Sequence, residues 1–174
     1  MTQVLTVRQP CRLDLDCPEG VPAPGPAAQD LLKYLFSVRG KSVLDLGCGC
    51  GLFAIAAAKL GAADVWAVDA SPAAVDATRR NAEKHGVDVV AKAGELFEPV
   101  GDRVFDLIVT VPPALGFEPI LRGAPEVLDR GGELLTCFGS PEEADRFESM
   151  LRERFRFRAL PGSSSIRNYL AMKL

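Results

Sequence analysis

The sequence predicts a doubly wound α/β sheet that ends in an antiparallel hairpin. Three observations carry this. Strand and helix patterns alternate from about residue 42 onward, the order of a sheet built from β-α-β units. The strand run Phe105–Thr110 is short and largely apolar, as in a parallel strand covered on both faces. The tail from about Phe155 changes to alternation, with Phe155, Phe157 and Ala159 on one side and arginines on the other, which is strand periodicity.

The elements follow in order. Residues 4–7 and 12–15 read as short strands, and Cys17 to Pro26, with four prolines and two glycines, reads as a loop. A helix is predicted over Ala27–Val38, with Leu31, Leu32, Leu35 and Phe36 as its apolar stripe and Gly40 at its stop. Ser42–Leu46 is a buried strand, residues 52–60 a helix ended by Gly61, and Val65–Val68 a second strand closed by Asp69. Ser71-Pro72 places an N-cap before proline at the first helical position, opening a helix to about Lys84. Val87–Ala91 and Phe105–Thr110 are the next strands. A helix bent by Pro119 and Pro125 lies within 117–129, and Gly131-Gly132 turns into the strand Glu133–Phe138. Ser140-Pro141-Glu142-Glu143 is a capping box for a helix to about Arg152. Asn168–Lys173 is the last strand.

In such sheets ligands sit beyond the carboxyl ends of the strands. There the sequence places Gly47-Cys48-Gly49-Cys50-Gly51 between a strand and a helix. Glycines let a backbone turn sharply and approach a ligand closely. The helix that follows would offer free N–H groups and its positive dipole end to an anionic group. Asp69 ends the next strand, 18 residues after Gly51, where a carboxylate can accept hydrogen bonds from both hydroxyls of an adenosine ribose. A nucleoside-bearing cofactor is implied. A nicotinamide dinucleotide would want Gly-x-Gly-x-x-Gly spacing, which this loop lacks. Asp45, inside the first strand of the unit, needs a partner for its carboxylate: loop N–H groups or a cationic ligand group.

Together Val43-Leu44-Asp45-Leu46-Gly47-Cys48-Gly49-Cys50-Gly51, Val68-Asp69-Ala70-Ser71 and Phe105 through Pro113 resemble the class I S-adenosylmethionine-dependent methyltransferases. The span Asn81–Pro113 resembles the small-domain branch, which includes ribosomal RNA guanine-N2 and release-factor glutamine enzymes. The resemblance covers about residues 24–140. It implies a Rossmann-like seven-stranded sheet, S-adenosylmethionine as cofactor and methyl transfer to a nitrogen or oxygen of a small molecule, protein or RNA. It also implies roles. Gly47, Cys48, Gly49 and Gly51 form the loop against the methionine part, and Asp45 meets its ammonium. Asp69 binds the ribose with Ala70 beside the adenine, and Gly94 and Glu95 face the adenine amino group. Val111, Pro112 and Pro113 line the methyl-transfer site. The branch pattern is Asn or Asp, Pro-Pro, then an aromatic residue. Here Val111 and Ala114 stand at its two ends, so no side-chain amide or ring orients the acceptor there.

Composition bounds the rest. The 174 residues correspond to about one domain, taken as residues 1–174 with 1–26 as N-terminal strands and loop. No apolar run is long enough to span a membrane, and residues 1–10 show no secretion signal. The five cysteines have no metal-ligand spacing and no histidine nearby, so a cytoplasmic protein with reduced thiols and no metal is expected. Net charge is −3, yet residues 146–174 carry net +5. That basic tail is either the solvated face of a strand or an attraction for an anion or RNA. The short chain points to a small acceptor, or to recognition supplied by a partner protein or a second copy. The alternatives are an accessory module that binds the cofactor without chemistry and an enzyme that uses the same cofactor in a reaction other than methyl transfer.

Overall fold

The computed structural model describes residues 2–112, 117–138, 140–152, 154–162 and 166–174. Strands β1 (Gln3–Val7) and β2 (Leu13–Cys17) pair as a separate antiparallel hairpin. The main sheet holds β3 (Ser42–Leu46), β4 (Asp64–Asp69), β5 (Val90–Ala93), β6 (Phe105–Thr110), β7 (Leu128–Phe138), β8 (Phe155–Leu160) and β9 (Arg167–Lys173). Their spatial order is β5-β4-β3-β6-β7-β9-β8. All pairs from β5 to β7 are parallel, and β9 lies antiparallel to both β7 and β8. The strand order reverses between β3 and β6, which creates the crevice where ligands of such sheets bind.

Two apolar layers sandwich the sheet. On one face pack α1 (Pro26–Leu31), α2 (Leu52–Lys59) and α3 (Pro72–His85), with the β1–β2 hairpin above α2 and α3. On the other face pack α4 (Phe117–Val127) and α5 (Pro141–Leu151) around the rings of Phe117, Phe138, Phe147 and Tyr169. Helix α2 is apolar on every side and buried from Leu52 to Ala57, as a helix covered on all sides must be. Its alanines let sheet, hairpin and α3 approach closely. Both predicted Ser caps form: the Ser71 hydroxyl accepts from the Ala74 N–H and the Ser140 hydroxyl from the Glu143 N–H.

The strand expected over Glu133–Phe138 already begins at Leu128 as β7, with a shift in its pairing to β6 between Phe105 and Leu107; two further boundaries are corrected. The helix expected over Ala27–Val38 ends as α1 at Leu31, followed by one 3-10 turn, Leu32–Tyr34. A 3-10 turn aligns residues three apart. Leu32 and Leu35 therefore point inward together and are fully buried, while Phe36 falls off the stripe and is 69% exposed. The strand expected over Val87–Ala91 is β5, Val90–Ala93. Gly86 closes α3 at φ 61°, and residues 87–89 are needed to reach the register that pairs Trp66 with Val90.

Candidate active site

The crevice contains two adjoining cavities, of about 520 and 320 Å3, which share Gly47, Asp69 and Val111 in their walls. The larger runs from the ends of β3 and β6 toward Asp69, Ala70, Gly94 and Glu95, with Val111 and Pro112 on its other side. The smaller lies above Gly47, Cys48 and Gly49 and is roofed by the loop Pro22–Gly25 and by Ala28. Nine of the sequence-predicted positions thus line one cleft. Asp45 and Gly51 line neither cavity, and Pro113 lies outside the described residues.

The loop conformation follows from its glycines. Gly47, Gly49 and Gly51 have φ of 79°, 55° and 89°, a region that side chains disfavour. A Cβ on Gly47 or Gly49 would meet nothing within 4 Å, so both present open backbone. A Cβ on Gly51 would sit 3.0 Å from Ile55 and Thr78. Gly51 serves the turn into α2 and its packing.

The hydrogen bonds of this loop change the reading of its electrostatics. The N–H groups of Gly47 and Cys48 both donate to the Val68 carbonyl, at 2.8 and 3.0 Å, and that of Gly51 donates to the Cys48 carbonyl. The Gly49 N–H donates to Asp69 Oδ2 at 2.9 Å. Beyond the loop, the Ala54 N–H donates to Asp45 Oδ2 at 2.9 Å, and the Phe53 N–H also favours that carboxylate. The expectation that the start of α2 holds free N–H groups for an anion is therefore corrected: Asp45 already caps it. A phosphate cradle needs converging free N–H groups, and here those of 47, 48, 49 and 51 are internally satisfied. The arrangement suits a ligand with an ammonium or sulfonium charge better than a pyrophosphate.

Asp45 is buried, and among the described residues its Oδ1 has no hydrogen-bond partner. Burial pushes its carboxyl up to about 7, opposed by the Ala54 N–H and reinforced by the charge of Asp69. A positive group arriving beside the loop would relieve that cost. Asp69 is already fixed: its Oδ1 accepts from the Ser71 N–H at 2.9 Å and its Oδ2 from Gly49. Each carboxylate oxygen has a second lone pair, so acceptor capacity remains on the cavity side. The thiols of Cys48 and Cys50 are driven far above the ordinary thiol range by burial, which leaves them protonated and unsuited to nucleophilic work.

Sequence reasoning missed the supports of this loop. Thr78 and Asn81 of α3 are fully buried. The Thr78 hydroxyl donates to the Gly49 carbonyl at 3.0 Å. The Asn81 amide donates to the carbonyls of Cys50 and Asp16 and accepts from the Asp16 N–H, each at 2.9 Å. His85, one turn on, meets the backbone of Asp14. This stripe ties the β1–β2 hairpin to the glycine loop. Its signal in the sequence is two polar residues, three apart, among the alanines of an apolar helix face. Glu118 of α4, on the Val111 side of the cleft in sequence, pairs with Arg122 at 2.7 Å.

The family model for the methyltransferase small domain matches residues 25–160. The chain belongs to the methyltransferase small domain family. It is 47% identical over 87 residues to a release factor glutamine methyltransferase of Geobacter sulfurreducens, covering 49% of this chain and 31% of that protein. It is 41% identical over 109 residues to a ribosomal protein L11 methyltransferase of Thermosipho africanus, covering 63% of this chain and 41% of that one. The chain thus spans well under half the length of these two curated relatives. Among solved structures, a T. thermophilus 16S rRNA N2 methyltransferase in complex with AdoMet and guanosine has the same fold, with TM-score 0.87, 24% identity, and coverage of 100% of this chain and 51% of that one. A ribosomal protein L11 methylase of Lactobacillus delbrueckii subsp. bulgaricus matches with TM-score 0.78 and 26% identity, covering 90% of this chain and 83% of that one. The small-domain resemblance and the seven-stranded sheet with its C-terminal hairpin stand. Among the described residues no helix is long and apolar enough to cross a membrane, and no cluster of side chains could hold a metal ion.

Proposed function

We propose that this chain binds S-adenosylmethionine in the cleft and transfers its methyl group directly to an acceptor nitrogen or oxygen. The observation that carries the reading is the pair of cavities joined at Gly47, Asp69 and Val111, with Gly49 lining the smaller and Glu95 the larger. The residues fit the cofactor. Gly47 and Gly49 leave open backbone, Asp69 is held rigidly with lone pairs to spare, and the carboxylate of Asp45 favours a cationic group nearby. When bound, the cofactor supplies a methyl group already activated by a positive sulfur. The chain's own contribution is then alignment and exclusion of water, since well-oriented reactants supply much of the rate.

Asp69 takes the ribose hydroxyls, and Gly94 and Glu95 flank the base. Pro22–Gly25 close the cleft on the α1 side. Val111 stands at the junction of the cavities and offers only its backbone carbonyl and an apolar wall, as Pro112 does. The acceptor is a small molecule, protein or RNA group whose nucleophile needs no side-chain base from this position. We also place the chain in the cytoplasm, with its five thiols free. Calorimetric titration with S-adenosylmethionine and S-adenosylhomocysteine tests the cofactor. Binding of both is expected, and no heat with either at millimolar concentration overturns the reading. The lack of a polar side chain at Val111 favours a second reading, an accessory module that binds the cofactor without turnover. Release of S-adenosylhomocysteine by the isolated chain with any acceptor pool removes it.

A further inference from the structure

A third cavity, of about 250 Å3, lies on the α1 face of the sheet, away from the glycine loop. Its floor is one leucine from each of four adjacent strands: Leu107 on β6, Leu135 on β7, Leu170 on β9 and Leu160 on β8. At ~4.8 Å per strand the row spans about 14 Å, so the cavity is a trough. It exists because the helix before β3 stops early. The chain leaves the helical path at Leu35, so residues 36–38 border the cavity as non-helical chain rather than as a further helical turn. Tyr34 forms one wall, its ring pinned by a hydrogen bond from its hydroxyl to the Pro161 carbonyl. Phe36, also in the wall, is 69% exposed.

The rim is positive. Lys41 pairs with Glu133 at 3.3 Å, both partly exposed. Arg158 lines the trough at the β8 end, and among the described residues its side chain has neither an ion-pair nor a hydrogen-bond partner. Arg156, two residues earlier on the same strand, shares its face by the period of two and is exposed. In the lining itself Lys41 and Arg158 stand against the single carboxylate of Glu133. Apolar pockets with a few converging polar groups are the usual form of small-molecule sites, and the volume equals roughly eight waters at ~30 Å3 each.

We propose that this trough binds a small amphiphilic anion: a flat or branched apolar body laid over the leucines, with one carboxylate or sulfonate turned to Arg158. The size favours this over a nucleic-acid strand, whose phosphates would need cations spread along a path. Here, among the described residues, the lining cation without an ion-pair partner is Arg158, at the β8 end.

The probe is 8-anilinonaphthalene-1-sulfonate, an aromatic sulfonate that brightens on entering apolar sites. It is titrated by fluorescence into the protein with excess S-adenosylhomocysteine present. The expected result is saturable binding at one site. Arg158→Glu, an exposed position outside the cleft, should weaken it at least tenfold, and Phe36→Ala should weaken it severalfold. Arg80→Glu, on the exposed side of α3, should leave it unchanged. The uncharged analogue N-phenyl-1-naphthylamine should bind at least tenfold more weakly and equally to the parent and Arg158→Glu proteins. Undiminished sulfonate binding by Arg158→Glu, or equal binding of the neutral analogue, overturns the proposal. So does displacement of the probe by a short single-stranded oligouridylate at lower concentration than by benzoate, which would assign the surface to nucleic acid.

Discussion

Replacing Asp69 by alanine tests whether the acidic end of β4 builds the site before any ligand arrives. In the structure its carboxylate accepts the Gly49 N–H and the Ser71 N–H, both at 2.9 Å. Hydrogen bonds to a charged group contribute about 1.5–3 kcal/mol each. The residue is half-buried, so water replaces part of what is lost. The net cost to the ligand-free protein is then about 2–4 kcal/mol, or a Tm lower by roughly 5–15 °C for a chain of this length. Asp69→Asn keeps one acceptor oxygen but presents an NH2 to the other N–H, so its cost should fall between parent and alanine. The assay is urea unfolding of the ligand-free proteins at pH 7, with the m-value checked for constancy. A parallel calorimetric titration with S-adenosylhomocysteine should show binding weakened by a further about 1–3 kcal/mol from the lost ribose contact. An alanine variant within about 0.5 kcal/mol of the parent would refute the clamp, because Gly49 and Ser71 would then be served equally well by water. Weaker binding with unchanged stability would leave Asp69 as a ligand contact only.

Three further outcomes follow from the same geometry. Gly51→Ala should destabilise more than Gly47→Ala in urea unfolding: both impose a left-handed residue at about 1–2 kcal/mol, but only at 51 does the new methyl press on Ile55 and Thr78; equal costs would show that these side chains move aside freely. Asn81→Ala leaves the Asp16 N–H and the carbonyls of Asp16 and Cys50 unpaired, so a loss of about 2–4 kcal/mol is expected together with faster amide exchange across β2, and unchanged exchange in the hairpin would contradict the tie. The carboxyl of Asp45 is raised by burial from near 3.8 to about 7, so the folded chain holds a proton there that the unfolded chain releases; its contribution is present below about pH 4 and is lost as pH rises toward 7, by at most about 4 kcal/mol. Asp45→Asn should flatten that slope in ligand-free unfolding measured from pH 4 to 8, and an unaltered slope would assign the dependence elsewhere.

Most of the cleft could be read from the chain because its signals are local. Three glycines after an apolar strand, an aspartate ending the next strand and a Pro-Pro element ending a later one each mark a strand terminus, and strand termini of parallel neighbours converge. The roof at Pro22–Gly25 was legible only as a loop, since nothing in a proline-rich segment says what it folds over. Thr78 and Asn81 were passed over because their partners, the carbonyls of Gly49, Cys50 and Asp16, are main-chain atoms without any signature in the sequence. A 3.6-residue period carried past Leu31 puts Phe36 on the core stripe, but the helix tightens into a 3-10 turn at Leu32 and turns that position outward.

The order of elements, the caps at Ser71 and Ser140 and the bend of the glycine loop were determined by the sequence itself, through apolar run length, hydroxyl placement and the freedom of residues without a Cβ. What only the tertiary structure decided is the chemical character of the site. Whether a glycine loop cradles an anion or welcomes a cation depends on which of its N–H groups remain free. That was settled by groups brought in from elsewhere: the Val68 carbonyl, the Asp69 carboxylate and, beneath the next helix, Asp45. The same holds for the trough under Phe36, a space left by one shortened helix over four strands that meet only in the folded sheet.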